Sequence, residues 1–156
     1  MADSDMQDSG SPLQEEENGA SLDALLKNAQ ALFEEGDLTG TIKCLQESIK
    51  RYPQSPLPHH NLSVVYISML LEEETRKEVW EDLADEEACF EAAVRESEQA
   101  IGLDRNFVAA YNNLGMLFAS RGWWTEAVAQ WEMSLSIDPG QSKVRDEMMQ
   151  ARSHLD

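Results

Sequence analysis

The chain has 156 residues, with 30 acidic against 12 basic side chains and a net charge of −18 at pH 7. Charge of this sign repels a phosphate backbone, so nucleic-acid binding is not expected, and no apolar run approaches the roughly 18 residues that suggest a membrane span. The N-terminus has neither the basic nor the apolar stretch of a secretory signal, and Cys44 and Cys89 form no CxxC pair, so the expectation is a cytoplasmic protein with buried, reduced thiols.

Residues 1–20 combine Asp, Ser, Gly, Gln and Glu with almost no bulky apolar residue and read as a disordered acidic tail; residues 21–156 read as one folded unit. Ser21 or Asp23 is placed to cap a first helix carrying Leu22, Leu25, Leu26, Ala29, Leu32 and Phe33 at helical spacing. After a Gly36-Asp37 turn, Ile42, Leu45 and Ile49 continue the pattern, and Pro53, Pro56 and Pro58 separate this pair from the next. From His59 to Ile101 there is no Gly or Pro, so extra length here is expected as helix rather than loop. Thr75-x-x-Glu78 offers a capping box for a long helix with Val79, Leu83, Phe90 and Ala93 or Val94 along one side, and Asp82 is the alternative cap. A further pair follows with its turn at Gly122, and Ser142 is expected to cap a last helix whose Val144, Met148, Ala151 and Leu155 share a face. No stretch alternates as a strand would.

The charge is concentrated in two places. Residues 1–17 carry −6 and residues 72–91 carry −8, leaving the rest only mildly acidic. A basic protein partner and a merely solvated surface both fit such runs.

A spacing organises the helices: Arg105 lies 52 residues after Pro53, and Pro139 lies 34 after Arg105. In the last unit Tyr111, Leu114, Gly115 and Phe118, followed by Ala127, Trp131 and Pro139, are similar to the W-x2-L-G-x2-Y and A-x3-F…P halves of the tetratricopeptide repeat. The first unit keeps Ala29, Leu32, Gly36, Leu45, Ile49 and Pro53 in register, with Asn28 and Thr41 replacing the expected Leu and Ala. The second keeps Leu62, Tyr66, Ala93 and Ala100, lacks the turn glycine and has Arg105 in place of proline. The chain resembles a tetratricopeptide-repeat protein over roughly residues 22–141. The resemblance implies an all-α, right-handed helical-hairpin solenoid with repeats at 22–55, 56–107 and 108–141, a lengthened middle hairpin holding an 18-residue insertion, and a capping helix at 142–155.

It also implies a binding role, in the groove lined by the first helix of each pair. In that register Lys27, Asn61 and Asn113 are equivalent, and in related repeats an Asn here reaches a ligand's main chain. Leu26, Gln30, Phe33, His60, Val64, Ile67, Asn112, Met116 and Ala119 occupy neighbouring groove places, a mixture of amide and apolar surface suited to an extended or helical segment. Relatives that clamp the acidic C-terminus of heat-shock proteins surround the carboxylate with Lys, Arg and Asn; here Leu26, Gln30, Ala109 and Asn113 stand at all but the Asn61 place, so no such clamp is expected. Two further surfaces are weighed: an arm carrying Val79, Trp80 and Leu83, which either covers itself or docks a partner or second copy, and Trp123, at a place usually polar and exposed. Trp124 and Trp131 fall at core places.

No residue set suggests catalysis, a cofactor or a metal: His59 and His60 are adjacent and diverge on a helix, and no Gly-rich loop precedes a phosphate-binding Lys. The sequence thus reads as a non-enzymatic adaptor for a peptide or helical segment; the alternatives are an assembly or secretion chaperone for one client, or a structural subunit docking through the acidic stretch at 72–91.

Overall fold

A computed structural model describes residues 20–71 and 83–155, and among them every regular element is a helix. These are α1 (Leu22–Glu34), α2 (Leu38–Arg51), α3 (Pro56–Leu71), α4 (Leu83–Leu103), α5 (Val108–Ser120), α6 (Trp124–Ile137) and α7 (Ser142–Arg152). Each packs on its neighbours in sequence, and α3 also touches α5, so the chain stacks helical pairs and the first helices of the second and third pairs meet.

Local chemistry sets the ends. Of the two candidate caps for α1, Ser21 performs the role, its Oγ accepting from the Ala24 amide at 3.2 Å; such a cap contributes about 1 kcal/mol. Asp37 caps α2 by accepting from Gly40 N at 2.8 Å. Gly36 and Gly122 turn the first and third pairs at φ of 81° and 73°, backbone that a side chain would strain. The last helix departs from expectation. Gln141, not Ser142, is its N-cap residue and makes no capping bond, because its side chain donates instead to Ser134 Oγ at 2.8 Å. Val144, Met148 and Ala151 are buried on one face as expected, whereas Leu155 lies past the helix and is 50% exposed.

Helix lengths locate the extra residues of the middle pair. Compared with the first and third pairs, α3 is three residues longer and α4 seven longer, and the interval 72–82 separates them. That interval lies outside the described residues, as do the acidic tail over 1–19, the Thr75 and Asp82 caps and the arm residues Val79 and Trp80; Leu83 is described only as the start of α4.

Three apolar clusters run along the stack. The first joins Ala29, Leu45, Leu62 and Val65 across α1, α2 and α3; the second joins Ile67, Phe90, Ala93 and Leu117 across α3, α4 and α5; the third joins Ala127, Val128, Trp131, Val144 and Met148 across α6 and α7. A buried leucine such as Leu45 contributes about 1.5–3 kcal/mol. Small residues let the helices approach. At the α3–α4 contact the Ser63 and Ser97 hydroxyls are 2.6 Å apart and each lies 3.0 Å from Ala93 O; two protons serve these three contacts, so one hydroxyl donates to the carbonyl and the other to its neighbour. Both cysteines are free thiols, but only Cys89 is buried as expected; Cys44 is half-buried. Burial pushes the Cys89 thiol up to about 12, and its Sγ donates to Tyr66 O at 3.5 Å.

Candidate functional site: two equivalent clefts on the concave face

The residues that line the inner face of α1 and α3 meet those of α2 in a cleft of about 350 Å³. Its floor is Ala29, Phe33, Leu45 and Val65, and Gln30, Glu34, Asn61 and Val64 stand at its walls. Thr41, at the place where alanine is usual, is fully buried because its Oγ1 donates to Asp37 O at 2.7 Å, which satisfies the hydroxyl within its own helix.

A second cleft of about 240 Å³ opens between α5, α6 and α7. It is built on the same plan. Gln30, Phe33, Leu45, Asn61, Val64 and Val65 of the first cleft have Met116, Ala119, Trp131, Glu147, Gln150 and Ala151 at the same relative places, each 86 residues on, and 86 is the distance from the first to the third unit. Trp124 and His154, stacked with centroids 4.1 Å apart, close its far side.

The predicted groove residues fall into three groups. Gln30, Asn61 and Val64 converge on the first cleft and Met116 on the second; Val64 and Met116 are 37% and 38% exposed, which is open surface for aliphatic groups on a folded domain. Lys27 is exposed but engaged, its Nζ 2.8 Å from Asp23 Oδ2, and it lines neither cleft. Asn112 and Asn113 are taken up inside the fold. Asn112 donates to Gln141 Oε1 at 2.7 Å and accepts from Ser134 Oγ at 2.6 Å, which ties α5 to α6 and the start of α7. Asn113 is 8% exposed, and its Nδ2 lies 3.3 Å from His60 Nδ1. Burial holds the His60 imidazole below its ordinary value of 6.5, so the neutral ring is favoured and its Nδ1 accepts from the amide. The ring also meets Phe107 edge-on at 5.3 Å. His60 and Asn113 thus join α3 to α5, and neither lines a cleft.

Sequence reasoning missed the contribution of α7, treating it as a cap alone. One further step of 34 residues carries Asn113 to Glu147 and Met116 to Gln150, both on the wall of the second cleft. Glu34 was missed because it ends its helix, where polarity alone gives no reason to single it out.

Outside the concave face, Trp123 is 47% exposed while its ring meets Phe90 edge-on at 5.6 Å and lies 5.9 Å from Phe118. Arg121 sits over the Phe90 ring, 4.6 Å from its centroid, and pairs with Glu87 at 3.0 Å. The exposed tryptophan is therefore anchored at one edge and open at the other. Among the described residues no three His, Cys, Asp or Glu side chains gather as a metal site would require, and no helix is long and apolar enough to cross a membrane.

No protein-family model matches the chain, and no curated protein aligns with it. Solved structures do. The TPR domain of Arabidopsis OM64 superposes with a TM-score of 0.68 at 16% identity, covering 85% of this chain and 95% of that one. The first TPR of Spaghetti (RPAP3), bound to the HSP90 peptide SRMEEVD, gives 0.69 at 18% identity over 86% of this chain and 92% of its own. A thermophilic TPR protein from Thermus thermophilus gives 0.72 at 17% identity, covering 90% of this chain and 68% of that one. The fold is therefore that of the tetratricopeptide-repeat domains.

Proposed function

We propose that this chain, a tetratricopeptide-type solenoid, is a cytoplasmic protein-interaction adaptor that takes a peptide or helical segment of a partner on its concave face. The observation that carries the reading is the pair of equivalent clefts, each with an apolar floor, an amide at the wall and an exposed aliphatic side chain, Val64 or Met116, at its mouth. Such surfaces are already shaped, so a ligand would not have to order the receptor on binding. That the neighbour from RPAP3 holds an HSP90 peptide supports a peptide-binding use of the fold, although the acidic ligand of that protein is not the one proposed for this chain. Protein, rather than nucleic acid, is the partner consistent with a net charge of −18.

Capture from lysate with the protein immobilised tests this directly. Val64→Gln combined with Met116→Gln keeps helix propensity and replaces the exposed aliphatic surface at the mouths of the clefts. Partner capture is expected to fall at least about tenfold while helicity and melting stay near wild type; undiminished capture would remove the groove.

The second reading is a fixed subunit of a complex or a homodimer, and Trp123, open beside Phe90 and Arg121, favours it. Trp123→Ala would then abolish a stoichiometric assembly seen by light scattering, and an unchanged mass would set this surface aside.

A further inference from the structure

We infer that the first cleft takes an apolar side chain flanked by Lys or Arg, presented by an extended basic segment of a partner protein; this deepens the adaptor reading and rests on it. The floor is apolar, and Gln30 and Asn61 supply carboxamides that suit a main chain. Among the described residues Glu34 is the one charged residue in the lining, and its hydrogen bond is to a neutral donor, Gln30 Nε2 at 2.9 Å. Among the described residues no Lys or Arg pairs with it.

The end of α1 reinforces this. The last turn of α1 contains no basic residue, and its final residue is Glu34, so the carboxylate lies at the negative end of the helix dipole. Carboxylate and dipole together disfavour an anion at that wall and favour a cation. The nearest Lys on the helix, Lys27, is held by Asp23 at 2.8 Å. The second cleft agrees in sign: Glu147 stands where Asn61 stands in the first, and among the described residues neither lining contains Lys or Arg. Lys143 lies 3.7 Å from Glu147, but it is 88% exposed and holds that carboxylate only weakly. The whole molecule, at −18, adds attraction for a basic segment during encounter. Among the described residues a carboxylate-bearing peptide would meet no Lys or Arg in either cleft, and it would be repelled at the end of α1.

A phage-displayed library of random 12-residue peptides, panned on the full chain at low ionic strength, makes the test. Peptides whose binding weakens in the Val64→Gln/Met116→Gln variant are counted as bound on the concave face. Their affinities are then measured by fluorescence polarisation against wild type, Glu34→Lys and, as a control, Glu126→Lys, which reverses an exposed carboxylate on α6 outside both clefts. Because Glu34→Lys improves the match to the helix dipole, its melting temperature is expected at or above wild type, so lost binding is not lost fold. The expected result is enrichment of an apolar residue beside Lys or Arg, with affinity about tenfold weaker in Glu34→Lys and within about twofold of wild type in Glu126→Lys. Concave-face peptides without enriched cations, or indifferent to Glu34→Lys, would overturn the inference and leave the adaptor reading standing. A library yielding no peptide sensitive to the Val64/Met116 change would overturn both.

Discussion

Two helical glycines show how one residue type serves opposite ends. A Cβ on Gly115 would lie within 2.7 Å of three atoms of the buried Trp131 indole, so α5 and α6 meet at a distance only glycine allows. Gly102, near the end of α4, is exposed and a Cβ there would meet nothing within 4 Å. Gly115→Ala should therefore lose about 1–3 kcal/mol through overpacking, whereas Gly102→Ala should gain up to about 1 kcal/mol through helix propensity. Urea unfolding of the two variants checks this, and shifts of the same sign would contradict the packing argument. Gly115 was legible in the sequence because the repeat motif marks it beside Leu114; the partner it accommodates, Trp131, was legible as a core residue sixteen positions later. The roles of Asn112 and Asn113 were not. A carboxamide looks the same in a sequence whether it faces a ligand or a neighbouring helix, and only the positions of Ser134, Gln141 and His60 decide which.

Among the described helices, α3 is tied to both α4 and α5 by polar pairs. It pairs His59 with Glu96 of α4 at 2.7 Å, Ser63 with Ser97 of α4, and His60 with Asn113 of α5. The His60 junction has a defined pH response. Burial lowers the folded-state pKa of His60 below 6.5, so the unfolded chain binds the proton more readily. The sign follows: the contribution is fully present above about pH 6.5 and is lost as pH falls from there through the folded-state value. Melting temperatures of wild type and His60→Gln measured from pH 7.5 to 5 should diverge, with wild type losing more on acidification; His59 and His154 are common to both proteins and cancel in the comparison. Parallel curves would mean that the ring is not held neutral. The boundaries of α1, α2, α5 and α6 followed from apolar spacing and turn glycines, which act locally. The start of α7 did not, because Gln141 is drawn away from the cap by Ser134, a residue of the preceding helix that no local rule includes.

At the scale of the whole molecule, 30 acids against 12 bases make charge a general burden on the compact state. Raising salt from about 0.01 to 0.15 M shortens the screening length from roughly 30 to 8 Å, so the melting temperature should rise with added NaCl, read by circular dichroism at fixed pH. Binding of a cationic peptide should weaken over the same range, and the opposite signs separate stability from recognition. The repeat architecture itself was readable from the intervals of 52 and 34 residues, since every unit must bury the face of the next. The cleft on α7 was not read, because a capping helix is defined by its polar outer side and its inner side is ignored. The 86-residue correspondence between the clefts has a last consequence, for valency. Two sites of one plan, fixed on one body, would let a partner bearing two short motifs in tandem bind the second without a fresh encounter. Its avidity would then depend on the linker between the motifs as much as on either motif alone.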